Sequence, residues 1–141
     1  MSASRQDLSA GVLDEMHDGA LTGLATSPST KRMSIWMRDA TGNEYEITVE
    51  NVVCAAANNF RHGNTISSIT ITDDPADLND VDVAELAESD EPQHIEIYRR
   101  PFAGGESGRP FRTLRIREAI GCRALIVFDG RVVVSKQPST V

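Results

Sequence analysis

Met33-Ser34-Ile35-Trp36-Met37-Arg38-Asp39-Ala40-Thr41-Gly42-Asn43-Glu44-Tyr45-Glu46-Ile47-Thr48-Val49 decides the fold class. Met33, Ile35 and Met37 alternate with Ser34, Trp36 and Arg38, and Tyr45, Ile47 and Val49 alternate with Glu44, Glu46 and Thr48. Successive strand side chains point to opposite faces, so this period of two predicts two half-buried strands, each with one wet face. Between them, Asp39 to Asn43 supplies turn chemistry, with Gly42 free to take a positive φ in a short hairpin loop. Arg38 is expected to face the Glu44, Glu46 and Glu50 row, an exposed pairing worth at most about 1 kcal/mol.

Outward from the hairpin the strand signals continue. Strand evidence begins at Ala20, and residues 52–57 form a weaker strand. The connection at 58–64 is rich in Asn and Gly, which tolerate left-handed backbone. Ile66, Ile69 and Ile71 mark another strand, but the spacing of three between the first two breaks the parity. An extra residue near Ser67-Ser68 restores it, so a bulge or strand end is expected there. Residues 94–100 alternate through Ile95 and Ile97, and 101–110 read as a mobile loop. Leu114 and Ile116 are expected inward, with Arg115 and Arg117 outward. The nearly continuous apolar run 122–128 reads as a strand covered on both faces. Asp129-Gly130 has the chemistry of a type I′ hairpin turn leading into Val132-Val133-Val134.

The expected fold is therefore mainly β, with antiparallel sheets arranged as a sandwich or roll and one or two short helices. The 141 residues fit a single domain, 1–141. Residues 1–15 are expected to be partly disordered or a short helix. In that segment Leu8, Val12, Leu13 and Met16 share a face, weakened by Gly11.

Charge is distributed unevenly. Residues 73–91 carry nine carboxylates and no Lys or Arg. Up to Pro92 there are five basic against seventeen acidic residues, and afterwards nine against four, so −12 and +5 make up the net −7. The stretch 73–92 is read as an acidic helix, over 77–88, or as a loop, joining two β units. Its early acids suit the positive end of a helix dipole. A pI near 4.9 makes nucleic acid an unlikely partner, since such binders usually carry a basic face. The longest apolar stretch, 124–128, is too short to span a bilayer, and residues 1–16 lack the pattern of a secretory signal. A cytoplasmic location without membrane contact is the expectation. Cys54 and Cys122 belong to no C-x-x-C pair and read as free thiols.

Two sets of residues are candidates for function. His17, Asp18 and His62 form a polar constellation: a His oriented by a carboxylate can act as base or metal ligand. No H-x-x-x-H, H-E-x-x-H or paired C-x-x-C spacing accompanies them, and the glycine-rich 104–109 stretch lacks the phosphate-loop pattern. No cofactor is called for. The second set is an interface: Trp36 as an outward aromatic anchor, Asp80, Asp82, Glu85 and Glu88 from the acidic segment, and Arg99, Arg112, Arg115 and Arg117 from the basic strands. Charge complementarity between the last two groups is expected within the chain or across a symmetric homodimer.

His17-Asp18-Gly19-Ala20-Leu21-Thr22-Gly23-Leu24, the hairpin that follows, and Asn59-Phe60 with Gly63-Asn64 resemble a pattern of small bacterial β-rich proteins. Some of these are similar to immunity proteins of polymorphic toxin systems. The resemblance covers about residues 16–71 and transfers no functional residue. It implies a non-enzymatic inhibitor that binds a toxin. The functional expectation is thus a non-enzymatic protein-binding module. The alternatives are a small hydrolase or metal-dependent enzyme using His17, Asp18 and His62, and a structural homo-oligomer.

Overall fold

A computed structural model describes residues 13, 16–72, 80–87, 91–94 and 111–137. The strands are β1 (Ala20–Ser27), β2 (Arg32–Arg38), β3 (Glu44–Val49), β4 (Val52–Asn58), β5 (Asn64–Thr72), β6 (Arg112–Ile120), β7 (Arg123–Phe128) and β8 (Val132–Lys136). One helix, α1 (Asp80–Ala87), lies between β5 and β6 in the chain. All eight strands belong to one antiparallel sheet in the order β4-β7-β6-β5-β1-β2-β3-β8.

The quoted hairpin pairs as its alternation requires, from Met33 opposite Val49 to Arg38 opposite Glu44. Asp39 holds its turn. Its carboxylate accepts hydrogen bonds from the Thr41 amide (3.0 Å), the Thr41 hydroxyl (2.8 Å), the Asn43 amide (2.9 Å) and Asn43 Nδ2 (3.1 Å). Gly42 takes a φ of 98°, a conformation that side chains resist.

β3 and β4 are separated only by Glu50-Asn51, and β7 and β8 only by residues 129–131. The two pairs run as one ribbon. Val49 lies opposite Val132, the Glu50 amide donates to the Arg131 carbonyl (2.9 Å), the Asp129 amide donates to that of Asn51 (3.0 Å), and Val52 lies opposite Phe128. The β3–β8 and β4–β7 ends of the sheet are therefore halves of a single bent ribbon, and the sheet rolls closed on itself. At the bend Asn51 is left-handed (φ 56°), and a Cβ on Gly130 would collide with the Glu50 carbonyl. Glu50 is clamped there by Arg131 (2.8 Å) and Arg32 (3.4 Å).

This corrects the hairpin expected at Asp129-Gly130. Neither residue has a positive φ, and β7 and β8 do not pair. Both sides of β7 are taken by β4 and β6, so the chain must turn a corner and continue along β3. At the expected start of the next strand, His94 instead belongs to a helical turn over 92–94, with Pro92 in the position where a missing amide costs least. Residues 95–110 lie outside the described residues, as do 73–79.

Inside the roll, Leu21, Ile35, Met37, Ile47, Val49, Ile66, Leu114, Ile116, Ile126 and Phe128 are all but inaccessible, together with Met16 from the segment preceding β1. Each such side chain is worth about 1.5–3 kcal/mol of burial, so this interior outweighs any surface ion pair. The parity break in β5 is a bulge at the expected place. Ile66 faces Glu118 and Ser68 faces Arg117, leaving Ser67 as the extra residue that brings Ile69 back inside. Val83 and Leu86 of α1 pack on Leu125 and Val127, the outer side chains of β7, so that strand is covered on both faces. Trp36, on the outer face, is half-buried and stacks on Gly23, where its ring lies 3.1 Å from the position a Cβ would occupy.

Among the described residues, no helix is long and apolar enough to cross a membrane. Burial alone would raise the Asp39 pKa, but hydrogen bonds from the Asn43 and Thr41 side chains and backbones outweigh it and hold the carboxyl below its usual value of 3.8. A depressed folded-state pKa stabilises above the unfolded value and is lost as pH falls through the folded one. Replacing Asp39→Ala is expected to cost about 1–2 kcal/mol in urea unfolding at pH 7. The difference from wild type should shrink as the pH drops below about 4.

Candidate functional site

Within the acidic segment, α1 packs against the basic strands of its own chain. Arg115 on β6 donates from both guanidinium nitrogens to Asp82 of α1 (3.1 and 2.8 Å), and the two side chains are only 20 % and 12 % exposed. Glu85 lies 3.9 Å from Arg123 of β7. The helix is thus fixed by its Val83/Leu86 stripe and by a bidentate pair whose planar geometry Arg provides and Lys cannot. Asp80 opens α1, while Glu88 and Arg99 lie outside the described residues.

Beside this pair, a cleft of about 310 Å³ is lined by Asp82, Glu85, Arg115, Arg117, Glu118 and Arg123. Three positive and three negative side chains cancel, so the cleft has no net attraction for an anion. Arg117 is exposed at its rim. Arg112 does not share that face. Its guanidinium stacks 4.9 Å from the Phe128 ring centroid and donates to the Gly130 carbonyl, bracing the ribbon bend.

His17 and Asp18 lie side by side, Nδ1 to Oδ2 3.2 Å, but both are about 70 % exposed. Asp18 adopts a left-handed backbone (φ 66°), and its amide donates to the Ile66 carbonyl (2.9 Å), tying the turn to β5. His62 stands exposed in the connection between β4 and β5. Among the described residues, no three His, Cys, Asp or Glu side chains converge on a point where a metal could be held. Both cysteines are free. Burial pushes the half-buried Cys54 thiol up to about 11. It also raises that of Cys122, which a backbone hydrogen bond from Asn58 partly offsets. Thiols so held are protonated and poor nucleophiles at neutral pH.

A second hollow was not singled out by motif. Beyond Leu21, β1 pairs only with β2, and β4 pairs only with β7. The Val52 amide donates to the Lys31 carbonyl (2.8 Å), closing one end of the space between these two edges. The groove left there encloses about 570 Å³ and is lined by Leu24, Met33, Val52, Val53, Ala55 and Ala57 among others. Its volume is that of a ligand-sized site. Ala55 and Ala57 are exposed, and Val53, the unpaired residue of a bulge, is 46 % exposed. Just past β4, Phe60 is 50 % exposed, and Ile120 is 60 % exposed on the neighbouring turn.

Asn64 supports that end of the roll. Buried itself, it accepts from the Arg61 amide (2.8 Å) and the Cys122 amide (3.0 Å), and its Nδ2 donates to the carbonyls of Arg61 (2.6 Å) and Leu21 (3.2 Å). The connection that carries Phe60 and His62 is therefore pinned by one side chain to three parts of the chain. The sequence signal for the groove is the run Val52-Val53-Cys54-Ala55-Ala56-Ala57. It has none of the charges or prolines that usually keep an edge strand from pairing.

Comparison with known proteins finds no match of this chain to any protein family, curated protein or solved structure.

The Asp82–Arg115 pair makes a clear energetic expectation. Asp82→Ala should cost about 2–4 kcal/mol, because it removes a bidentate partner from a largely buried guanidinium. An Asp82→Leu/Arg115→Leu double substitution should cost much less than the two single ones together. Urea denaturation of the four proteins measures this coupling.

Proposed function

We propose that this chain is a non-enzymatic protein-binding module whose contact surface is the groove between β1 and β4 with its apolar rim at Val53 and Phe60. The observation that carries the reading is the pair of facing strand edges, each without a ladder partner on that side among the described residues. Unpaired strand edges next to exposed apolar side chains are the usual template for association with another chain. The reading moves the contact away from the acidic helix. Asp82 is occupied by Arg115, and Glu85 lies near Arg123, so these two carboxylates serve the fold. An immunity-type inhibitor of a toxin is one form of such a module. In that form the groove and its rim, rather than an acidic surface, take the toxin.

Self-association has its own support in the uncharged β4, which could pair with β4 of a second copy in a homodimer. Light scattering at low and high salt tests it, and a monomer in both conditions removes it.

The main test is partner capture from the native cells, comparing wild type with Ala55→Arg and Ala57→Arg, both at exposed positions. A partner identified by mass spectrometry should be recovered at least tenfold less with either variant. Equal recovery from all three proteins, or no partner with any, overturns the reading.

A further inference from the structure

The groove has a chemistry more specific than its shape. Its walls are two strand edges, so an occupant lying between them is offered backbone donors and acceptors from both sides. Only an extended chain can use both edges at once. Of the twelve lining residues, Lys31 is the one charged type, and burial pushes the Cys54 thiol up to about 11, so it is protonated at neutral pH. A charged side chain set among Leu24, Met33, Val52 and Ala55 would lose its hydration without gaining a partner, so the walls select against charge. At the closed end, Lys31 is exposed and has no ion-pair partner among the described residues, while its neighbour Arg32 is already paired with Glu50. The positive φ of Lys31 (54°) sits at the turn where β1 and β2 meet, directly beside the start of β4.

We propose that the groove takes an extended apolar peptide segment with uncharged side chains as an added strand between β1 and β4, with the segment's C-terminal carboxylate at the Lys31 end. The proposal rests on the protein-binding reading and names the partner's chemistry. The direction follows from the fold: β1 runs toward Lys31 and β4 runs away from it. A segment whose C-terminal end lies at Lys31 is therefore parallel to β1 and antiparallel to β4. The carboxylate is the segment's own C-terminus. The groove closes behind Lys31, which favours a chain end over a chain passing through.

The test uses a displayed library of random heptapeptides with free C-termini, selected on the full-length protein. The expected winners are uncharged and rich in β-branched residues. A synthetic winner should lose about two- to fivefold in affinity as its C-terminal amide, a surface ion pair's worth. Its affinity should fall at least tenfold with Ala55→Arg and about two- to fivefold with Lys31→Glu. Bound peptide should slow amide hydrogen exchange in residues 53–57 and 24–27. Thermal melts of each variant confirm folding, and Ala57→Arg replaces Ala55→Arg should the latter unfold. No enrichment, winners with charged side chains, equal affinity of acid and amide, or full binding by folded Ala55→Arg overturns the inference. If a native partner is nevertheless captured in a groove-dependent manner, the protein-binding reading survives without it. If no partner is captured either, both fall.

Discussion

The bent ribbon of β3–β4 against β7–β8 is the constraint on which the rest of the structure depends. A sheet of eight antiparallel strands would otherwise present two long edges, each an invitation to pair with another molecule. Here the two ends of the sheet are made from the same two stretches of chain, folded over at Glu50-Asn51 and at 129–131. Closing the sheet this way fills its interior with side chains from β1, β2, β3, β5, β6 and β7 at once. The corner carries the burden of that economy. Its left-handed Asn51, the glycine at 130, the twin arginines on Glu50 and the cation over Phe128 all act within a few residues. The β1–β5 contact that completes the circuit is short, two residue pairs. Past those pairs β1 runs free of β5, and the opening opposite β4 follows directly.

Charge in this protein is arranged inward. The acidic helix meets basic strands across a narrow contact, and its bidentate pair, Asp82 with Arg115, is largely dry. Removing two charges from water costs nearly as much as their attraction returns. What the pair contributes is location: it selects the face of β6–β7 on which the helix lies, while Val83 and Leu86 supply the adhesion. Asp82 and Glu85 of the acidic part are thus met by Arg115 and Arg123 of the basic part within one chain.

Those parts of the fold that rest on period-two alternation could be read directly from the residues. The 33–49 hairpin, the inward Leu114 and Ile116 and the bulge at Ser67 all follow from parity, and the doubly covered β7 from its unbroken apolar run, which a single sequence displays. The corner at Asp129-Gly130 could not be read, because Asp-Gly describes a local turn preference and says nothing of which strands compete for β7. Arg112 was grouped with Arg115 by composition, although its parity with Leu114 placed it at the end of the inward row. The partner of Trp36 is Gly23, a small residue whose usefulness appears only when β1 lies beside β2. The groove was least legible of all. An edge without a neighbour is a property of the whole arrangement, and the 52–57 run looked merely like a weaker strand.

Glu50 and Arg131 meet across 81 positions of chain. Bringing residues so distant together costs about 4 kcal/mol in loop-closure entropy, against much less for the turns within the β1–β2–β3 meander. The meander and the β5–β6–β7 portion can each be assembled from neighbours in sequence, whereas the ribbon must await both. High separation of this kind slows folding. For much of that time β3, β4, β7 and β8 stand as open edges with their apolar faces bare. The finished molecule pairs β3 and β7 on both sides and leaves β4 and β8 with one partner strand each, so the open edge of β4 is a remnant of the last step in its own assembly.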